Sequence, residues 1–464
     1  MAQTTQEEAP IHLTIIGGGS AGCAAALWAA DHGARVTLVN AGLPLGGNAI
    51  NVGVFPARIF MQAATARRRT APPFTPGQTG VCTEVDLNAL SHHVTHSIEV
   101  ARRALVQSLQ RRPGLELIDG YARFIDAHTL EVDGKRWQCD RTLLTCGASS
   151  SPPEIDGIEG AGVWRLQDLV NCNELPESIL MLGTSDLGLT YAQAFARLGS
   201  KVTLLSERER FLDPEHGERW EALLRDALRD DQVILEPDCT VTHLERKNGQ
   251  ARALGTRRGA PTHWSAAQVV VVDHRHPSTD RLALHAADVE TDAQGFIQVD
   301  ESFRTSHPLI YAAGDVVGPG RHTHAAVQDA ILAAHNAVLP TRTAGHTHTA
   351  PFVIPTDPSF AGVGWNQAQA QAAGFDAECL SLDLSTHPLG PPTGAPQGLI
   401  ELICDRRSNH LLGARLAAPG AADAIMELAL AVRYGLPVDE LATLVHPPAT
   451  LSEAIAVCAR HRRR

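Results

Sequence analysis

Three glycines, Gly17, Gly19 and Gly22, stand in "IIGGGSAG", directly after the apolar run Leu13 to Ile16 and before an alanine-rich stretch that begins near Ser20. These types and spacings predict a strand, a tight turn and a helix, followed by a second strand from Arg35 to Val39. Each glycine meets a separate requirement. Gly17 permits the turn, Gly19 lets backbone approach a pyrophosphate, and Gly22 lets helix and strand pack closely. The helix that follows offers free N–H groups and the positive end of its dipole to phosphate oxygens. Such a unit usually ends its second strand on an acidic residue that binds the adenosine ribose. Asn40 stands there instead and keeps both a donor and an acceptor.

The same order recurs in "SILMLGTSDLGLTYAQAFARLGSKVTLL", with Gly183, Ser185 and Gly188 at its turn. Either a second dinucleotide binds there or the loop is a packing turn with no ligand. A third landmark is "LIYAAGDV", an apolar strand ending at Gly314 and Asp315 with a helix beyond. A buried aspartate at such a strand end, facing a helix N-terminus, is placed to hold a sugar or ribitol hydroxyl, or else to cap the helix.

The elements around these residues must come from more than one core, because 464 residues exceed what a single core supports. A net charge of -12 argues against nucleic acid or an anionic membrane as partner, both of which need a basic surface. No apolar run reaches the roughly 18 residues a membrane span requires, and the polar, acidic N-terminus lacks the plan of a signal peptide. Nine scattered cysteines, with neither Cys-x2-Cys nor Cys-x4-Cys spacing, suit the reduced thiols of a cytoplasmic protein. Past "TRTAGHTHTAPFVIPTDP" the rhythm changes to strand-like "GLIELICD" and "LLGARLAA" and helical "AADAIMELALAVRYG", which reads as a separate α+β domain.

With these segments placed, the chain resembles the pyridine nucleotide-disulfide oxidoreductases over nearly its full length, and within them mercuric reductase and dihydrolipoamide dehydrogenase. The resemblance rests on "IIGGGSAG", "GGNAINVGVFPAR", "LLTCGASSSPPEIDGI", "GTSDLGLTYAQAFARLGSKVTLL", "HRHPSTDRL", "IYAAGDV", "IPTDPSFAGVGW" and "HPPATLSEA", in that order. It implies an α/β fold with two Rossmann-like dinucleotide-binding domains, for FAD and NAD(P), plus a C-terminal α+β dimerisation domain. The expected boundaries are 1–150 and 273–344 for the FAD domain, 151–272 for the NAD(P) domain and 345–464 for dimerisation. By the same resemblance Gly17, Gly19, Gly22, Asn40, Gly46, Gly47, Gly147 and Asp315 contact FAD, and Gly183, Ser185 and Gly188 face the pyrophosphate of NADPH or NADH. Ser206 stands where NAD users place an acidic residue, and Arg208 and Arg210 are placed to meet the extra phosphate of NADPH, against the opposing Glu207 and Glu209.

The resemblance also shows what is missing. The family relays electrons through a Cys-x4-Cys pair in the segment corresponding to residues 46–58. Ala49 and Val54 occupy those positions and supply no thiolate. Five residues before Glu453, where lipoamide and glutathione enzymes carry a proton-moving histidine, stands Pro448. The C-terminal Cys-Cys of mercuric reductases gives way to "CARHRRR", the family lysine to Arg58, its glutamate partner to Thr190, and an aromatic gate over the flavin to Asp186.

Four residues remain as catalytic candidates. Arg58, on the helix expected to carry Ala49 and Val54, is read as a charge beside the isoalloxazine, or as a plain salt bridge, and Glu453 as a carboxylate reaching the other subunit's flavin pocket, or as a cap. His322 and His324 are proton donors near the pyrimidine end of the flavin, or solvated side chains. The pairs His92/His96 and His346/His348 read as solvated histidines, so no metal is expected, and Cys146 reads as a small buried residue. The leading expectation is an NAD(P)H-driven FAD oxidoreductase, a homodimer, that passes electrons from flavin directly to a small-molecule acceptor such as a quinone. The alternatives are an FAD oxidase or dehydrogenase of an organic substrate with a decayed nicotinamide site, and a non-catalytic flavoprotein that binds or senses.

Overall fold

A computed structural model describes residues 10–70, 84–150, 154–272, 275–318, 322–345, 349–386 and 398–462. It divides into two compact units. The first comprises Met1–Pro56, Thr95–Ser151 and His274–Gly345, and the second Ala57–Val94, Pro152–Asp273 and His346–Arg464.

The chain opens with β1 (His12–Ile16), α1 (Ser20–Asp31) and β2 (Arg35–Asn40), followed by α2 (Gly47–Asn51), α3 (Val54–Thr70) and α4 (Leu87–Gln110). After β3 (Leu115–Asp119), a meander of β4 (Ala122–Asp126), β5 (Thr129–Val132) and β6 (Lys135–Gln138) leads into β7 (Arg141–Leu144) and β8 (Ala148–Ser150). Next come α5 (Leu166–Val170), β9 (Ser178–Leu182), α6 (Asp186–Leu198), β10 (Lys201–Leu205), α7 (Glu218–Asp230) and β11 (Ile234–Glu236). The antiparallel strands β12 (Cys239–Lys247), β13 (Gln250–Arg257) and β14 (Ala260–Ala266) precede β15 (Gln268–Val271), and β16 (Arg275–Pro277), β17 (Ile310–Ala312) and α8 (Thr323–Val338) return to the first unit. The C-terminal part consists of β18 (Phe352–Ile354), β19 (Ser359–Gly364), α9 (Gln367–Ala372), β20 (Ala377–Asp383), β21 (Leu399–Asp405), β22 (Leu411–Ala418), α10 (Ala421–Arg433), α11 (Val438–Thr443) and α12 (Leu451–Arg460).

In the first unit β17, β7, β1, β2 and β3 form a parallel sheet in that order. Its central strands are mostly apolar, with Thr14, Thr37 and Thr142 also buried, because both faces are covered. One face packs Leu13, Ile15, Val36 and Leu38 against Cys23, Ala25, Ala26 and Ala29 of α1 and Ala330, Ala333 and Ala334 of α8. Small residues on both helices let them lie close to each other and to the sheet. In the second unit β11, β10, β9 and β15 form a parallel sheet of the same kind, and β18, β19, β22, β21 and β20 an antiparallel one. Every residue of β22 is buried. Among the described residues no helix is long and apolar enough to cross a membrane.

Strand β22 carries one cation inward. Arg415 donates from Nη1 to Val363 O at 3.0 Å, its guanidinium lies over Phe352, and burial pulls its pKa down to about 10. His216, half-buried and stacked on Trp220 with ring centroids 5.6 Å apart, is held below its ordinary value of 6.5, first by burial and then by Arg415. The folded protein therefore resists protonating His216 while the unfolded chain accepts the proton, so stability falls as pH drops below 6.5 toward the lowered value. Replacing His216→Phe is expected to flatten the loss of urea stability between neutral and mildly acidic pH. A slope equal to that of the parent protein would contradict this.

Candidate functional site

The first glycine loop is tightened by its own backbone. Gly17 has φ +109, and a Cβ there would stand 2.4 Å from Thr145 O; one on Gly22 would stand 1.9 Å from Gly17 O. Neither position accepts a side chain. Gly19 differs, since a Cβ built on it meets nothing within 4 Å. It is also the N-cap of α1 and provides no side-chain cap to the first-turn N–H groups. Free N–H groups beside a glycine that faces open space fit a pyrophosphate, the chemistry FAD requires there.

Asn40 makes two bonds within the protein. Its Oδ1 accepts from Gly18 N at 3.0 Å and its Nδ2 donates to Leu43 O at 3.0 Å, so the amide braces the glycine loop against the turn after β2. Gly46 N donates to Gly18 O at 2.8 Å, and a Cβ on Gly47 would stand 2.8 Å from Gly19 Cα, so this segment closes onto the loop. Gly147 follows β7 and accepts from Ser278 N at 2.9 Å. Asp315 is half-buried, not buried as its strand-end position implied, and Arg275 Nη1 donates to its Oδ2 at 2.6 Å. The ion pair holds the carboxylate beside the end of β17.

The expectation that Ala49, Val54 and Arg58 share one helix is corrected. Ala49 lies on α2, and the chain breaks at Val52 and Gly53 before α3 begins at Val54. Gly53 N folds back to Asn48 O at 2.7 Å, and Pro56 is tolerated because it falls in the first turn of the new helix. Val54 is 40% exposed, and Arg58 is exposed one turn further on.

In the second unit Ser185 caps α6, accepting from Gly188 N at 3.3 Å, and a Cβ on Gly188 would stand 2.7 Å from Gly183 O. Asp186 opens α6, and Thr190, fully buried, donates to Asp186 O at 2.6 Å. Arg208 pairs with Asp213, and Arg210 with Glu218 at 3.2 Å. Ser206 Oγ accepts from Arg208 N at 3.1 Å and donates to Arg210 O at 3.0 Å, which shapes the turn after β10.

His322 and His324 stack with ring centroids 5.6 Å apart at the N-terminus of α8. Thr450 caps α12, its Oγ1 accepting from Glu453 N at 3.2 Å, while Glu453 Oε2 accepts from Ala449 N, one residue before the cap, at 2.6 Å. Burial pushes the Cys146 thiol up to about 12, so it is a neutral small side chain at ordinary pH. His92 and His96 are exposed on α4, His346 and His348 lie outside the described residues, and among the described residues no group of three or more His, Cys, Asp or Glu gathers to hold a metal. One pair escaped the sequence reading. His446, whose side chain is 6% exposed, brings Nε2 to 3.7 Å from Glu427 Oε2 of α10. Burial raises the Glu427 carboxyl against the opposing effects of Ser452 and His446. The signal in sequence was His446 itself, inside the quoted motif "HPPATLSEA".

Residues 11–330 match the pyridine nucleotide-disulphide oxidoreductase family, and residues 350–458 match that family's dimerisation domain. The chain belongs to this family. Its members are FAD-binding, NAD(P)H-dependent oxidoreductases, and the two glycine loops and the C-terminal sheet are the parts that this requires. The chain is 32% identical to a mercuric reductase of Acidithiobacillus ferrooxidans over 99% of its length and 84% of the relative's. It is 32% identical to a mercuric reductase of Streptomyces lividans over 97% of its length and 95% of the relative's. Among solved structures it is similar to the HOCl-induced flavoprotein disulfide reductase RclA from Escherichia coli, with TM-score 0.85, 24% identity, and coverage of 97% of this chain and 100% of that one. LpdA from Mycobacterium tuberculosis matches at TM-score 0.87 and 22% identity over 97% of this chain and 99% of that one. At such identities these two structures establish the fold.

Proposed function

We propose that this family member is an NAD(P)H-driven FAD oxidoreductase that delivers electrons from flavin directly to a small-molecule acceptor such as a quinone, without a thiol relay. The observation that carries the reading is the segment 46–58, which folds into α2 and the start of α3 with no sulfur in it. FAD supplies one- and two-electron transfer when bound. The chain's residues hold it: first-turn N–H groups of α1 take the pyrophosphate, Asn40 braces the loop, and Gly46, Gly47, Gly147 and Asp315 complete the contacts. Gly183, Ser185 and Gly188 take the nicotinamide cofactor's pyrophosphate, and Arg208 takes the extra phosphate of NADPH once it releases Asp213. The C-terminal region joins two copies into a homodimer.

In this reading Ala49 and Val54 make the acceptor pocket apolar, and mercuric ion or a disulfide finds no thiolate to attack it. Arg58, His322 and His324 balance charge and supply protons. Glu453 acts at the N-terminus of α12, where its carboxylate holds Ala449 N. One observation favours a second reading, an oxidase or dehydrogenase of an organic substrate: Asp186 places a carboxylate on the first residue of α6, where phosphate is meant to bind.

Anaerobic addition of NADPH or NADH to the flavin-loaded protein is expected to bleach the visible flavin band, and a water-soluble quinone to restore it. Lipoamide, glutathione disulfide and mercuric ion are expected to leave the bleached protein unchanged. Bleaching only by an organic donor would replace the first reading with the second. Rapid recovery with a disulfide or with mercuric ion would overturn both.

A further inference from the structure

Two side chains near the first glycine unit form a pair that no step above uses. Tyr121 follows β3 by two residues and is 52% exposed, and the guanidinium carbon of Arg281 lies 4.4 Å from the centroid of its ring. Backbone bonds build the pair. Gly120 N donates to Asn40 O at 2.9 Å, which holds the start of the Tyr121 segment against the end of β2. Phe124 N donates to Leu282 O at 2.8 Å, which brings Arg281 alongside. The phenol oxygen reaches over the turn after β2, 3.8 Å from where a Cβ on Gly42 would stand. Among the described residues the Arg281 guanidinium has no carboxylate partner, so the tyrosine ring is the contact that orders it.

Position gives this pair a ligand. A dinucleotide on such a sheet lays its pyrophosphate at the N-terminus of the first helix and its adenosine ribose at the end of the second strand. The adenine must then extend past Asn40 toward β3, which is where Tyr121 and Arg281 stand. A purine presents flat π faces, and phenol and guanidinium are flat groups that stack on them. Half-exposed aromatic and cationic surfaces at a strand end are otherwise a poor use of two large side chains, since the pair alone is worth little in water.

We propose that Tyr121 and Arg281 form a cap that closes over the adenine end of FAD in this unit and sets how slowly the cofactor leaves. The proposal rests on the assignment of FAD to the first glycine loop. The test is FAD release from the flavin-loaded full chain after dilution, followed by the rise in flavin fluorescence. Tyr121→Ala and Arg281→Ala are each expected to release FAD roughly 5- to 30-fold faster, and Tyr121→Phe, which keeps the ring, to stay near the parent rate. Binding of FMN, which lacks the adenosine, to stripped protein is expected to be the same for parent and Tyr121→Ala. Should Tyr121→Ala melt early, the exposed Arg281→Ala carries the test. FAD release within twofold of the parent in both alanine variants overturns the cap, as does an equal loss of FMN binding. Protein purified without any flavin would instead overturn the FAD assignment itself.

Discussion

Gly19→Val is expected to yield a folded protein that carries no FAD, whereas Gly22→Val is expected not to fold. The two substitutions add the same atoms three residues apart. At Gly22 the new Cβ would overlap Gly17 O at 1.9 Å and Thr145 Oγ1 at 2.5 Å, contacts that only a shift of α1 away from the sheet relieves. At Gly19 the backbone is at φ -70 and ψ -179, extended geometry that any residue adopts, and a Cβ there touches no protein atom within 4 Å. The added Cβ therefore points into open space, where it stands in the way of what approaches the first turn of α1 from outside. A pyrophosphate needs that approach to within hydrogen-bond distance of the free N–H groups, and affinity for FAD is expected to fall by on the order of 100-fold or more. The visible flavin spectrum of purified Gly19→Val, with circular dichroism as the measure of folding, checks this. A yellow Gly19→Val protein would remove the loop from the FAD site.

The glycine loops were readable because each demand falls on one residue type at one spacing. A turn at φ +109 and a helix packed onto Thr145 leave glycine as the residue that fits at positions 17 and 22, and the apolar runs on either side identify the parallel strands. Polar side chains were less readable, because an amide or carboxylate takes its role from whatever the fold brings near. The strand-end position of Asn40 suggests a ribose ligand, and the closed loop also delivers Gly18 N to its oxygen, which no spacing in the sequence announces. Asp315 has the strand-end position of a buried hydroxyl acceptor, and β16 delivers Arg275 to it. Helix-forming residues flank both Ala49 and Arg58 and suggest one helix, while the break depends on backbone bonds from Val52 N and Gly53 N to Asn48 O. His446 and Glu427 lie in separate elements, and no periodicity links them. The absence of sulfur at 49 and 54 needed no fold at all, which is why the functional reading turns on it.

Removal of Arg197 is expected to cost the second unit about 3 kcal/mol or more of stability, because it strands buried carboxylate charge. Arg197 ends α6 with its side chain 5% exposed, and its Nε donates to Asp231 Oδ2 at 2.8 Å, whose own side chain is 2% exposed. From Nη1 it donates to Asp357 Oδ2 at 2.7 Å and to Thr65 Oγ1 of α3 at 2.9 Å, and from Nη2 to Asp357 O at 3.0 Å. Gln193, one turn earlier, donates to Asp231 Oδ2 at 2.9 Å and accepts from Asp357 N at 2.8 Å. One guanidinium fork thus ties α3, the end of α7 and the segment entering β19 to the helix that carries the second glycine loop. Arg197→Met keeps the volume and much of the apolar stem but leaves Asp231 only Arg68, at 3.0 Å, and Gln193. Its urea midpoint is expected to drop clearly while Arg197→Met/Asp231→Leu, which removes both charges, recovers most of the loss, since an apolar pair of similar size avoids the desolvation of a buried carboxylate that has lost one of its two cations. If the double variant is no more stable than the single one, the fork contributes through its hydrogen bonds to Asp357 and Thr65, and Asp357→Asn would then show the same loss. The second glycine loop, proposed above to take the nicotinamide cofactor, lies at the other end of α6 and supplies an independent reading. Because α6 is one rigid element, loosening its C-terminal anchor is expected to weaken NADPH binding severalfold while leaving bound FAD, whose loop lies in the first unit, in place.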